Sequence, residues 1–99
     1  MRPGEVRRVF EKGEPFHGSR MVLFLAPGTG GFAAVAARRV GGSVERNRAR
    51  RILRAAWREV APLEGYDAVL VARQAIRGAT TLELVAEMSE LLRRGGMAT

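Results

Sequence analysis

The stretch RRVGGSVERNRARRILRAAWRE, residues 38–59, is the most basic part of the chain. Its eight arginines are Arg38, Arg39, Arg46, Arg48, Arg50, Arg51, Arg54 and Arg58, and its only acidic residues are Glu45 and Glu59. Like charge at this density destabilises a compact fold unless a polyanion neutralises it. The stretch therefore indicates a protein that binds a large anion.

Apolar residues within this stretch and just beyond it recur with the period of one helical face. They are Ala49, Ile52, Leu53, Ala56, Trp57 and Val60, which follow the i, i+3, i+4, i+7 pattern. At about 100° per residue, the opposite side carries Asn47, Arg48, Arg50, Arg51, Arg54 and Arg58. We expect Ser43 to cap this helix and Pro62 to end it soon after Val60. The pattern predicts one side in a core and one side of guanidinium groups.

The chemistry of arginine narrows the choice of anion. A solvated helix face usually mixes Lys, Glu and Gln, whereas this face is almost entirely Arg, which suits bidentate phosphate contacts and stacking on bases. The whole chain has a net charge of +7 and a pI near 11.5, which favours nucleic acid or an anionic membrane surface. We predict nucleic-acid binding over a merely solvated face.

Length and composition limit the class of protein. Residues 1–99 suffice for one domain with a single core, and no linker divides them. The chain has no cysteine, which excludes disulfides and thiolate metal sites. The N-terminal residues lack the apolar core of a signal peptide, and no apolar run approaches the roughly 20 residues of a membrane span. We expect a cytoplasmic protein without a membrane partner.

The first half of the chain predicts a helix followed by strands. A helix is expected over Pro3 to Lys12, and a turn over Glu14 to Gly18. Two apolar segments, Ser19 to Ala26 and Gly31 to Ala37, are expected to be strands. Because the short Gly-rich segment PGTGG joins them, we expect them to form an antiparallel hairpin.

The second half predicts a strand and a closing helix. Tyr66 to Ala72 is the most apolar segment and is expected to be a central strand. Thr80 and Glu83 form a capping-box pattern that opens a helix to about Arg94. We expect the helices to pack on one face of a small mixed sheet and to leave the other face free.

No autonomous active site is predicted. His17 is the only histidine and lies in the predicted turn, and the serines and threonines have no matching base. The carboxylates are scattered, so neither catalytic residues nor metal ligands are assigned. Any chemistry would be carried by another component.

The basic stretch and its flanks resemble the protein subunit of bacterial ribonuclease P. The resemblance rests on Arg46-Asn47-Arg48 preceded by Arg38-Arg39 and Val40-Gly41, on Val9-Phe10 with Gly13, on Met21-Val22-Leu23-Phe24, and on Tyr66-Asp67 leading to Ala72-Arg73. It implies an α+β fold, a small mixed four-stranded sheet with three helices in the order α-β-β-β-α-β-α. It also implies a left-handed βαβ crossover, where general rules predict a right-handed one.

The resemblance implies an activity that this chain shares with an RNA. The family removes the 5′ leader of precursor tRNA; its RNA subunit performs the hydrolysis with Mg²⁺, and the protein binds the leader and raises substrate affinity. The implied state is a monomer in a 1:1 complex with the RNA. The residues implied to face the RNA subunit are Arg38, Arg39, Arg46, Asn47, Arg48, Arg50, Arg51 and Arg54.

The implied leader site is a groove between the first helix and the sheet. Its matching aromatic residues are Phe10 and Phe24, with Phe16 as a further neighbour. Extended RNA is bound by stacking together with positive charge, which tolerates many sequences. Without the resemblance, core packing would be the favoured role of Phe10 and Phe24. Val6 stands where the family commonly has an aromatic residue.

Two other functions stay open at this point. One is an RNA-binding or ribosome-associated protein of similar fold without a processing role. The other is a DNA-binding regulator that uses Ser43 to Val60 as a recognition helix. A helix-turn-helix regulator needs a helix just before the recognition helix, whereas Gly31 to Ala37 is predicted to be a strand.

Overall fold

A computed structural model describes residues 1–60 and 64–96. In these ranges the elements are α1 (Pro3–Lys12), β1 (Glu14–His17), β2 (Met21–Pro27), β3 (Phe32–Val35), α2 (Ser43–Val60), β4 (Tyr66–Ala72) and α3 (Thr81–Arg94). Two 3-10 turns, Arg38–Val40 and Gln74–Ile76, precede α2 and α3. The predicted helices are confirmed. Pro62, the predicted stop of α2, lies outside the described residues.

The four strands form one mixed sheet in the order β1-β2-β4-β3. β1 pairs antiparallel with β2, β2 antiparallel with β4, and β3 parallel with β4. The predicted hairpin of β2 and β3 is therefore wrong, because β4 lies between them. β4 is almost entirely buried, so the inner position gives the most apolar strand a neighbour on each side. Its central position is confirmed.

The turn predicted over Glu14 to Gly18 is also wrong, since four of these residues form β1. Phe16 lies opposite Leu23, and His17 opposite Val22, in the ladder with β2. β1 is an edge strand, and a proline such as Pro15 is tolerated at an edge because one side of the strand needs no ladder hydrogen bond.

The crossover from β3 through α2 to β4 is left-handed. The N–H of Ala68 donates to the carbonyl of Gly31 (2.9 Å), so the even-numbered residues of β4 turn their peptide groups toward β3. Their side chains, including Leu70, belong to the core that α2 covers. With L-residues this places β3 to the right of β4 when α2 faces the viewer and both strands run upward. The chain then passes leftward in front of the sheet, against the usual rule, and the implied handedness is confirmed.

The helices lie on both faces of the sheet. α2 and α3 cover one face, where Leu23 and Leu70 meet Leu53 and Met88 in the main core. α1 packs on the opposite face through Val9, over Ala26 and Val69. The prediction of a free second face is thus wrong over part of that face, which α1 covers.

Of the two predicted N-terminal helix caps, that of α3 is confirmed and that of α2 is wrong by one residue. The N–H of Arg46 donates to the carbonyl of Gly42 (2.9 Å), so Gly42 rather than Ser43 stands at the cap position of α2. The capping box of α3 is confirmed, because the Thr80 hydroxyl accepts from the Glu83 N–H (3.2 Å) and the Glu83 carboxylate accepts from the Thr80 N–H (2.9 Å).

Candidate nucleic-acid interface

The apolar seam of α2 turns its arginines outward. Ala49, Ile52, Leu53 and Ala56 are buried, and Trp57 and Val60 pack against the same core. Trp57 stacks on Phe32 of β3, with ring centroids 5.7 Å apart. The remaining side of the helix and the preceding 3-10 turn carry the predicted RNA-facing residues, which we call the basic surface: Arg38, Arg39, Arg46, Asn47, Arg48, Arg50, Arg51 and Arg54.

The arginines of the basic surface lack acidic partners in the part of the chain that the structure describes. Its ion pairs join Arg8 to Asp67, Arg20 to Glu83 and Glu87, Arg77 to Glu45, and Arg93 to Glu90. Glu45, one of two acidic residues in the basic stretch, lies 3.9 Å from Arg77, which is outside that stretch. The positive charge of the basic surface therefore remains available to a polyanion.

Three residues at the start of α2 are held to different degrees. Nη2 of Arg48 donates to the carbonyl of Ala79 (2.7 Å), which ties the half-buried side chain to the segment before α3. Arg50 donates to the side-chain oxygen of Asn47. Nε of Arg46 is buried and makes no hydrogen bond in the described structure. Arg46 thus has an unsatisfied donor beside the exposed part of the basic surface.

Gly41 lets the 3-10 turn approach the start of α2 closely. Its φ is 148°, a conformation that side-chain-bearing residues rarely adopt. A Cβ at this position would lie 2.8 Å from Cβ of Glu45. The glycine therefore permits the tight connection that brings Arg38 and Arg39 beside the arginines of the helix.

Phe10 and Phe24 meet on the other face of the sheet. Their ring centroids are 5.0 Å apart and the rings are nearly perpendicular, at 88°. Phe10 is 39% exposed, and Phe24 is half-buried. Exposed aromatic surface of this kind can stack on a base. The structure thus brings together two of the three residues that the resemblance implied for a leader groove.

Phe16 lies on the opposite face of the sheet from that aromatic pair. Its register partner is Leu23, a residue of the main core, and Phe16 packs against that core. A Cβ on Gly95, after α3, would lie 2.6 Å from the Phe16 ring. The alternation of side chains along a strand gives this placement, but the segment was predicted to be a turn.

We call the face of the sheet that carries Phe10 and Phe24 the aromatic face. A cleft of about 850 Å³ lies on this face beside the aromatic pair and reaches Arg39 of the basic surface. Its lining includes Val22 and Val71, which are register partners, together with His17, Arg39 and Arg73. Val22 shares its face with Phe24, two residues along β2. We did not assign His17 and Arg73 from the sequence. His17 lines the cleft because it lies in β1 opposite Val22. This position could have been predicted only if residues 14–17 had been recognised as a strand.

The described residues contain neither a metal cluster nor a membrane span. Within residues 1–60 and 64–96, no group of three or more His, Cys, Asp or Glu side chains could hold a metal ion. No helix in those ranges is both long and apolar enough to cross a bilayer. α2 follows β3 and a three-residue 3-10 turn rather than a helix, so the described fold does not contain a helix-turn-helix ending in α2.

A comparison with known protein families identifies the family of this chain. A family model described as Ribonuclease P matches residues 2–96. The chain belongs to the ribonuclease P protein family. The ribonuclease P protein component of Chloroflexus aurantiacus is 43% identical over 77 residues, covering 73% of this chain and 57% of the relative. That of Chloroflexus aggregans is 36% identical over 106 residues, covering 99% of this chain and 77% of the relative. The chain thus spans less than two thirds of the C. aurantiacus relative.

Solved ribonuclease P proteins share the fold. The Staphylococcus aureus protein superposes with a TM-score of 0.81 at 18% identity, covering 100% of this chain and 95% of the other. The Thermotoga maritima protein gives 0.79 at 21% identity, covering 95% of this chain and 94% of the other. The α+β fold with three helices and a four-stranded mixed sheet is confirmed.

Proposed function

We propose that this chain is the protein subunit of a ribonuclease P ribonucleoprotein, which removes the 5′ leader of precursor tRNA by endonucleolytic cleavage. The observation that carries the proposal is the basic surface, whose arginines have no acidic partner in the described structure, in a chain of this family. The chain acts as a monomer in a 1:1 complex with the RNA subunit, in the cytoplasm where its RNA partners are processed.

The RNA subunit binds to the basic surface. Guanidinium groups pair with phosphate oxygens in a bidentate manner and release condensed counterions. Arg46 supports this role because it has no acidic partner among the described residues, and Arg48 because its hydrogen bond to the Ala79 carbonyl fixes its position. Arg50, Arg51 and Arg54 continue the phosphate-binding side along the helix.

The leader of precursor tRNA lies along the aromatic face. Bases stack on Phe10 and Phe24, and phosphates beyond them meet the cations of the cleft, Arg39 and Arg73. Stacking and charge together bind single-stranded RNA with little dependence on sequence. Such a groove distinguishes precursor from mature tRNA, because only the precursor carries a leader.

Hydrolysis belongs to the RNA subunit and its Mg²⁺. The described residues bring together no group of carboxylates that could hold the ion, while Mg²⁺ commonly binds to phosphate oxygens with several waters. The protein contributes positive charge beside crowded phosphates, which lowers their mutual repulsion. The complex therefore needs less Mg²⁺ than the RNA alone.

Reconstitution tests the proposal. The chain is mixed with a bacterial ribonuclease P RNA, and cleavage of precursor tRNA is followed at low and at high Mg²⁺. We expect the chain to raise kcat/KM strongly at low Mg²⁺ and less at high Mg²⁺. RNA binding without any stimulation of cleavage would instead indicate an RNA-binding protein that has no processing role.

A further inference from the structure

One buried carboxylate joins three parts of the fold. The side chain of Asp67, at the start of β4, is 2% exposed. It accepts hydrogen bonds from the N–H groups of Thr29 (3.1 Å) and Gly31 (2.7 Å) and from the guanidinium of Arg8. Arg8 also donates to the carbonyl of Pro27 (3.0 Å). Asp67 thus connects β4 with α1 and with the loop between β2 and β3.

The surroundings of Asp67 keep it charged. Burial alone would raise the pKa of this carboxyl, but the amides of Gly31 and Thr29 and the charge of Arg8 together hold it below its ordinary value. The loop is shaped around the carboxylate, since a Cβ on Gly28 would lie 2.1 Å from it. A buried charge with one cationic partner strongly favours the position in which that partner reaches it.

The partner of Asp67 lies on the helix that forms one wall of the aromatic face. α1 rests on the sheet through Val9, which is fully buried. Arg8 and Phe10 lie about 100° to either side of Val9 around the helix. Arg8 reaches Asp67 on one flank, and Phe10 meets Phe24 on the other. Rotation of α1 about Val9 would therefore break the first contact and change the second.

We propose that Asp67 is a positioning residue for leader binding: by holding Arg8 it fixes the rotation of α1 and thereby the spacing of Phe10 and Phe24. This inference rests on the proposed function, because it assigns a consequence to the leader groove. Asp67 itself touches no RNA. The contact lies on the flank of α1 away from the aromatic pair, and it leaves the basic surface, which α2 carries on the other face of the sheet, unaffected.

The primary test uses Asp67→Asn in the full chain, reconstituted with a ribonuclease P RNA. The amide keeps the shape and one oxygen acceptor but removes the charge. We expect about fivefold weaker binding of precursor tRNA, a part of what one stacked base contributes. Binding of mature tRNA and kcat at saturating substrate should match wild type. Equal losses for precursor and mature tRNA would overturn the proposal.

A second pair of variants separates positioning from folding. Arg8→Met removes the same contact from a side chain that is 38% exposed, so it tests the proposal even where Asp67→Asn does not fold. Arg7→Met, on the exposed side of α1, removes an equal charge without touching Asp67 and is the matched control. We expect the precursor-specific loss with Arg8→Met and no such loss with Arg7→Met. The same loss in both variants would overturn the role of the contact.

A double-mutant cycle identifies the route of the effect. In the Phe24→Ala background, Asp67→Asn should cause less than a twofold further loss, because the spacing it controls no longer matters. A full, additive fivefold loss would overturn the inference. If wild type itself binds precursor and mature tRNA equally, the proposed function fails; if wild type discriminates and Asp67→Asn discriminates equally well, only the positioning role fails.

Discussion

The two faces of the sheet differ in how they are covered. Among residues 1–60 and 64–96, the main core beneath α2 and α3 contains seventeen buried residues, whereas the layer beneath α1 contains three. The thick layer supports the basic surface, and its apolar burial supplies most of the stability of the fold. The thin layer leaves Phe10 and Phe24 accessible and uses the ion pair of Arg8 and Asp67 where a larger core would use side-chain packing. Rigid support and an open binding face are thus separated by one sheet.

The largest expected effect is the loss of packing in the thick layer. Leu53→Ala should lower the free energy of unfolding by about 2–5 kcal/mol, because a fully buried leucine leaves a cavity. Val9→Ala removes less apolar volume from the thin layer and should cost about 1–2 kcal/mol. Urea denaturation of both variants measures the difference. Equal costs would show that the two layers contribute alike.

Removal of charge from the basic surface should affect RNA binding next most strongly. The double variant Arg46→Ala with Arg48→Ala should weaken binding of the RNA subunit at least about tenfold and reduce the slope of log K against log salt by roughly 1.5–2. Arg93→Ala, whose partner is Glu90 on α3, is the control. Binding measured at several salt concentrations decides the matter, and an unchanged slope would count against these two arginines.

Truncation of the aromatic pair should act on one substrate only. Phe24→Ala should weaken binding of precursor tRNA by about fivefold or more, since a stacked base contributes roughly 1–3 kcal/mol, and it should spare mature tRNA. Phe16→Ala, on the opposite face, should lower stability without changing this preference. Parallel affinity measurements with both tRNAs test the assignment, which equal losses for precursor and mature tRNA would contradict.

The smallest effect should be seen in the acid dependence of stability. The folded-state pKa of Asp67 is lowered, so this carboxylate stabilises the protein above its unfolded pKa, near 4, and the contribution is lost as the pH falls through the folded value. Asp67→Asn should therefore flatten the fall in stability below about pH 4. Glu83→Gln, at the exposed start of α3, should act in the same direction, because the Thr80 amide lowers the pKa of Glu83. Thermal unfolding between pH 2 and 7 compares the variants.

Local patterns in the sequence predicted the helices but not the pairing of the strands. The bounds of α1 and α2 follow from apolar periodicity and from Pro and Gly at the ends, which are properties of neighbouring residues. Strand pairing depends on which distant segment is the best neighbour. β4 lies between β2 and β3 in the sheet although it follows both in the chain. The PGTGG segment contains no residue pattern that indicates this strand order.

In the candidate site, too, local features could be predicted from the sequence and long-range contacts could not. The basic surface was predictable because every member lies on α2 or just before it. Phe16 was grouped with Phe10 and Phe24 because β1 was not recognised, and the face of its side chain follows only from its register. Asp67 gave no local signal of its role, since it is the second residue of an otherwise apolar strand and its partner Arg8 lies 59 positions away.

Arg39 belongs to the basic stretch and also lines the cleft that continues the aromatic face. Two RNA molecules bound as proposed would therefore approach one another at this side chain. The distance between the aromatic pair and Arg39 would then fix the length of leader held on the protein, and with it the position at which the precursor meets the RNA subunit. A precursor whose leader is too short to reach Phe10 would lose the stacking of its bases on the aromatic pair. It would be held only by the attraction between its phosphates and the arginines of the cleft.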